Sequence, residues 1–143
     1  MTKVQKAVDA FLEGTNCSQA ILKTYGPDYN LSTLDCLKIS NGFGGGMRRA
    51  EVCGAVTGAL MVLGLHYGPK DVADVSREVI DAKVLDLTAR FEEKCGSLIC
   101  RDLLGCDLST PEGKSQIVAN DLLKTVCPEM VRAAAEILED LCE

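Results

Sequence analysis

Every segment of this chain that can form regular structure repeats its apolar residues with the period of a helix, and none alternates them with the period of a strand. Val4, Ala7, Val8 and Phe11 mark one face of a first helix. A second is expected from about Asn16, carrying Ala20 and Ile21, until Gly26-Pro27 stops it. A third starts at Ser32, with Asp35 three residues on, and brings in Leu34, Leu37 and Ile39. Gly42-Phe43-Gly44-Gly45-Gly46 reads as a loop. An apolar helix over Val52 to Leu65 follows. The longest helix is expected from Pro69 or Asp71 to about Lys94, with Val72, Val75, Val79, Ala82 and Phe91 recurring along it and Arg90 and Lys94 in its last turn. Ser97 to Leu104 forms a short helix ended by Gly105. Thr110-Pro111 opens another, with Ile117, Val118, Leu122 and Val126, and the last runs from Pro128 with Met130, Ala133, Ala134, Ile137, Leu138 and Leu141 on one face.

The expected fold is therefore all-α: a compact bundle of about seven or eight helices with a buried Gly/Ala-rich central helix. The 143 residues suit a single domain over positions 1–143, long enough to bury a core without disulfides. With only 4% aromatic residues and no Trp, that core is built from Leu, Val, Ile, Ala and Met.

Charge narrows the partners. The net charge is −6, both signs are spread along the chain, and Arg48-Arg49 is the longest basic run. Nucleic-acid binding needs a basic face to neutralise phosphates, and none is present. An anionic membrane surface would repel such a chain. Residues 1–14 lack the continuous apolar stretch of a secretory signal. Val52 to Leu65 falls short of the about 20 residues a spanning helix needs. Cys142 lies too near the end for a prenylation box. The expected address is cytoplasmic, with no membrane insertion.

Against that background, eight cysteines are the anomaly. In a reducing compartment they point to metal binding, redox chemistry or packing rather than to a disulfide framework. Helix position sorts them. A helix N-terminus presents free N–H groups and roughly half a positive charge, which lowers the pKa of a thiol and offers hydrogen bonds to sulfur. Cys17 directly follows Asn16, a good N-cap, with Gln19 placed to complete a capping box. Cys53 is expected in the first turn of the apolar helix. Cys100 comes three residues after Ser97, a second cap candidate, and Cys127 precedes Pro128, so it is expected at an N-cap. Cys95 and Cys142 end helices, Cys106 follows the stop glycine Gly105, and Cys36 is ambiguous. For these four, packing as small apolar side chains is the expected role.

The blocks Asn16-Cys17-Ser18-Gln19, Phe43-Gly44-Gly45-Gly46-Met47, Cys53-Gly54-Ala55-Val56-Thr57-Gly58, Cys100-Arg101-Asp102-Leu103-Leu104-Gly105 and a final Cys127 occur in this order. In that order they resemble the C-GCAxxG-C-C family of redox-active proteins over nearly the whole chain. The resemblance places the family's signature cysteines at Cys17, Cys53, Cys100 and Cys127, the four already selected by helix position. It implies a redox role with an iron–sulfur cluster. One departure is visible: Val52 rather than Gly precedes the second cysteine, and Gly54 follows it.

Four function classes stay open. The first is an electron carrier or oxidoreductase whose [2Fe–2S] or [4Fe–4S] cluster is held by Cys17, Cys53, Cys100 and Cys127. Between successive members lie 35, 46 and 26 residues, so the fold must gather them. The second is a metal-free thiol–disulfide protein. The third is a structural zinc site, although zinc ligands usually come in closely spaced pairs. The fourth is a helical interaction module. A redox partner protein is expected for the first, and homo-oligomerisation is open.

Three further features are weighed. Gly54 and Gly58 with Ala55 and Ala59 suit close helix packing. The glycine loop with Arg48 and Arg49 suits a structural turn better than a phosphate cradle, since it lacks a P-loop ending, and the arginines are candidates to stabilise an anionic cluster. His66, the only histidine, is read as a capping or packing residue rather than half of a Cys–His pair.

Overall fold

The computed structural model describes all 143 residues. Nine α-helical segments occur in order: α1 (Lys3–Leu12), α2 (Cys17–Tyr25), α3 (Thr33–Ser40), α4 (Gly54–Tyr67), α5 (Glu78–Cys95), α6 (Cys100–Leu104), α7 (Pro111–Ala119), α8 (Leu122–Thr125) and α9 (Cys127–Leu141). There are no strands, and the chain is 74% helical. The short helix expected before Gly105 is α6, and the one segment beyond the eight expected is α8, which is separated from α7 by Asn120 and Asp121 within the helix expected to reach Val126.

Local signals set most boundaries. Thr2, Asn16, Ser32 and Thr110 each accept a backbone N–H three residues ahead and start α1, α2, α3 and α7. At α2 the capping box is complete, because Gln19 also accepts from the Asn16 N–H at 3.1 Å. Gly96 and Gly105 end α5 and α6 in the left-handed conformation.

The centre of the molecule is α4, which packs on α2, α5 and α9, while α1 lies against α2 and α9. Gly54, Ala55, Val56, Gly58, Ala59, Val62 and Leu63 of α4 are all buried. The small residues allow α2 to approach. A Cβ added to Gly58 would stand 2.9 Å from the Ser18 carbonyl oxygen and 3.1 Å from the Ile21 Cβ. The expected central Gly/Ala-rich helix is thus the element on which the bundle is assembled.

Two expectations are corrected. The glycine loop is not an open loop: after a turn of 3₁₀ helix at Asn41–Phe43, the chain reverses through a left-handed stretch. Gly45 and Gly46 share it with Met47 (φ 59°), Arg48 (φ 63°) and Ala50 (φ 56°), a conformation costing about 1–2 kcal/mol for each non-glycine residue. Arg48 holds it, donating to the Asn41 carbonyl at 2.9 Å, the Asn41 side-chain oxygen at 3.1 Å and the Gly44 carbonyl at 3.3 Å. The second correction concerns α5, which begins at Glu78 rather than near Asp71. Asp71 and Asp74 fold residues 71–76 into Asx-type turns by accepting the N–H groups of Ala73 and Ser76. The buried face of α5 is Leu87 and Phe91, with Ile80 and Val84 half-buried, so Val72, Val75 and Val79 do not serve the core.

No helix is long and apolar enough to cross a membrane.

Candidate functional site: a four-cysteine cavity

Cys17, Cys53, Cys100 and Cys127 line one cavity of about 350 Å³. Each thiol is buried, with between 6% and 9% of its residue exposed. The four come from four elements, and each is carried there by a different local device.

Cys17 is the first residue of α2, fixed by the Asn16–Gln19 capping box. Asn16 itself is tied across the molecule, donating to the Asn41 carbonyl at 3.0 Å, and Gln19 donates to the Leu37 carbonyl at the same distance. Cys53 caps α4 rather than sitting inside its first turn. Gly54 lets it approach α2, since a Cβ there would lie 3.0 Å from the Ser18 nitrogen and 3.2 Å from the Cys17 Cβ.

Cys100 reaches the cavity by pairing with the segment before Cys53. Val52 and Ile99 form an isolated antiparallel bridge. The Cys53 N–H donates to the Leu98 carbonyl at 2.8 Å, and the Cys100 N–H donates to the Glu51 carbonyl at 2.5 Å. Cys100 opens α6 after Ile99. Ser97 is not the helix cap; its hydroxyl accepts the Ile99 N–H two residues on. Cys127 is the first residue of α9 with Pro128 second, one position inside the expected cap.

Electrostatics divides the four instead of treating them alike. The Cys17 thiol keeps its proton: the stabilisation its S–H gives to thiolates at Cys127 and Cys53, together with burial, pushes its own pKa well up. The two partners move the other way. Cys53 is lowered by the Cys17 hydrogen bond, against the opposing effect of burial, and by the Ala55 and Val56 N–H groups at the start of α4. Cys127 is lowered by Cys17 as well, again against burial. Cys100 is pushed up to about 12 by burial, reinforced by the charges of Cys53 and Cys127. The expectation that every helix-start thiol is acidified is therefore corrected. The field of a helix terminus is outweighed where a thiol loses its water without gaining a donor.

The walls are mostly apolar. Twelve of the nineteen lining residues are hydrophobic, and Lys124 is the only charged one. Phe11, Leu104, Leu108 and Met130 belong to this wall; helical spacing marks Phe11 and Met130 as apolar-face residues, and nothing in the sequence assigns any of the four to the site. Neither arginine of the glycine segment lines the cavity, although Gly45 and Gly46 do. Arg48 is committed to the left-handed turn, and Arg101 pairs with Glu51 at 3.0 Å.

The remaining cysteines stand apart from the ring. Cys36 is fully buried under Gly26. Cys95 and Cys106 are half-buried, close enough for the charges of Cys53 and Cys106 to bear on Cys95 and Cys100 respectively. Cys142 lies at another pocket with Tyr25 and Tyr29. His66 accepts or donates one hydrogen bond with the Tyr29 hydroxyl at 2.8 Å and stacks edge-on against Tyr67, remote from the four thiols.

The family model described as "Putative redox-active protein (C_GCAxxG_C_C)" matches residues 15–141. The chain belongs to the C-GCAxxG-C-C family. No curated protein and no solved structure matches it. Within this C-GCAxxG-C-C protein, the matched region spans all four cavity cysteines and the whole of the glycine turn that lines them.

The donor set bears on what the cavity can hold. No three His, Cys, Asp or Glu side chains are grouped as ligands of one metal ion. A single zinc needs its four sulfurs at about 2.3 Å from one point. A cluster of several irons and sulfides spreads its thiolate ligands over a wider frame, each binding a different iron in the cubane case. Four buried thiols around one apolar cavity, with N–H groups at the start of α4 beside the Cys53 sulfur, are a donor set that thiolate-bound metal centres of either kind use.

Proposed function

We propose that this protein is a redox protein whose working group is an iron–sulfur cluster ligated by Cys17, Cys53, Cys100 and Cys127. The observation that carries the reading is the convergence of four buried thiols, from positions up to 110 residues apart in the chain, on one apolar cavity. Packing alone does not require it, since Cys36 packs as a fully buried residue elsewhere. A bound cluster supplies one-electron transfer.

The chain's own residues have defined tasks in this reading. Cys53 and Cys127 are the thiols most readily deprotonated for ligation, as the Ala55 and Val56 N–H groups and the Cys17 thiol stabilise their charge. Those N–H groups also favour an electron-rich sulfur and so raise the reduction potential. Phe11, Leu104, Leu108 and Met130 keep water from the site. The Val52–Ile99 bridge holds Cys53 and Cys100 in register.

The mutual influence of Cys17 with Cys53 and Cys127, which share one cavity, supports a second reading, a metal-free dithiol. In it the Cys53 thiolate attacks a substrate disulfide, releasing one thiolate. Cys17 then attacks the mixed disulfide, giving a Cys17–Cys53 disulfide and the second reduced thiol.

Anaerobic purification, an absorption spectrum and assays of iron and acid-labile sulfide on one sample separate the two. Broad visible absorption with matching iron and sulfide supports the cluster. Replacing Cys53 by Ser should then remove most of the iron, and Cys142→Ser should leave it unchanged. Equal iron in both variants would sink the assignment. A colourless, metal-free protein that forms one disulfide on mild oxidation would establish the dithiol.

A further inference from the structure

Met47 and Arg48 are consecutive side-chain-bearing residues with left-handed backbone, and Ala50 follows in the same conformation. Strain of this kind persists only where the surroundings over-determine it. Two arginines do so here, one at each end of the turn, and each leads to a different part of the cysteine ring.

At one end, the Arg48 guanidinium donates to the Asn41 carbonyl at 2.9 Å, the Asn41 side-chain oxygen at 3.1 Å and the Gly44 carbonyl at 3.3 Å. The same Asn41 carbonyl accepts from the Asn16 side-chain amide at 3.0 Å. The oxygen of that Asn16 side chain accepts the Gln19 N–H at 2.9 Å, the cap that starts α2 at Cys17. One carbonyl therefore joins Arg48 to the mounting of Cys17. Gly44 lies against the same cap, since a Cβ there would enter the Asn16 side chain. At the other end, Arg101 follows Cys100 in the chain. It donates to the Ala50 carbonyl at 3.2 Å and pairs with Glu51 at 3.0 Å. The Glu51 carbonyl accepts the Cys100 N–H, and Cys53, two residues on, donates to the Leu98 carbonyl. Gly45 and Gly46, between the two ends, form part of the cavity wall.

We infer that Arg48 and Arg101 are positioning residues of the four-cysteine site: they pin the two ends of the left-handed turn, so that Cys17 on one side and Cys53 and Cys100 on the other keep their places around the cavity. The inference rests on the reading of the four cysteines as one working site. Neither arginine lines the cavity, so both act through the backbone they hold. Arg49 is exposed and takes part in neither set of contacts.

Amide hydrogen exchange, read by NMR on the full-length, reduced and metal-free chain, tests this. In Arg48→Ala the Gln19 N–H should exchange about tenfold faster, with Cys53 and Cys100 unchanged. In Arg101→Ala the Cys53 and Cys100 N–H groups should speed up by about the same factor, with Gln19 unchanged. Arg49→Ala should alter none of them, and Leu87 and Phe91 of α5 should keep their rates throughout. Two further variants carry the test if Arg48→Ala does not fold. Gly44→Ala, at an extended backbone that accepts alanine (φ −69°), displaces the Asn16 side chain and should reproduce the Gln19 effect. Arg48→Lys, which cannot fork over both Asn41 oxygens, should show the same pattern in smaller measure. Acceleration confined to residues 44–51, acceleration shared equally by Leu87 and Phe91, or no acceleration at Gln19 would each overturn the inference. After reconstitution with iron and sulfide, Arg48→Ala and Arg101→Ala should hold less iron than Arg49→Ala. A wild type that takes up no iron would sink the cluster instead, and the exchange pattern would still decide the role of the arginines.

Discussion

Two cysteines of the same chemistry, Cys36 and Cys53, show how neighbours set the role of a thiol. Cys53 caps a helix and is met by N–H groups and by the Cys17 thiol, which favour its charge. Cys36 is fully buried, and loss of water, with Asp35 nearby, pushes its pKa up. A group whose folded pKa is raised contributes stability that is fully present below its unfolded pKa of about 8.5 and is lost as pH rises through the folded value. In the reduced protein, Cys36→Ala should therefore cost about 1 kcal/mol at neutral pH by leaving a small cavity. It should also flatten the loss of stability above about pH 8.5. Urea unfolding at a series of pH values gives both quantities, and an unchanged alkaline slope would remove Cys36 as its source.

Among the elements, the α2–α4 contact does the most to form the site, because the glycines that let the helices approach also bring Cys53 to Cys17. Alanine at position 58 gains about 1 kcal/mol of helix propensity, yet its Cβ would press on the Ser18 backbone and Ile21. Overpacking of this kind costs about 1–3 kcal/mol, so Gly58→Ala should be destabilising on balance. It should also lower iron content by forcing α4 away from α2. Alanine at Gly64, where nothing stands within 4 Å, is the control and should be neutral or stabilising with full iron. Similar unfolding midpoints for the two variants would show that the close approach is not needed.

For the whole molecule, the four cavity cysteines bring the starts of α2, α4, α6 and α9 to one place, across up to 110 residues of chain. A cluster bound by the folded chain and not by the unfolded one shifts the equilibrium by mass action. Removing it by anaerobic chelation should lower the thermal midpoint. Hydrogen exchange should rise first at the starts of those four helices, while the Phe91 and Leu87 region of α5 keeps its protection. A midpoint and exchange pattern indifferent to the cluster would place the metal outside this site.

Helix starts and stops were legible along the chain because their causes lie within three or four residues. Asn16, Ser32 and Thr110 cap through side chains that reach three residues ahead, and Gly96 and Gly105 stop helices through their own backbone freedom. That local logic also singled out Cys17, Cys53, Cys100 and Cys127. It failed where two local signals competed and where the cause was remote. Val72, Val75 and Val79 carry helical spacing, but Asp71 and Asp74 win the backbone of residues 71–76 for turns, and no neighbour covers Val79. The order of thiol acidity was equally out of reach, since it depends on which sulfur lies beside which and on how much water each has lost. Those quantities arise only when segments separated by 35, 46 and 26 residues are packed around one cavity.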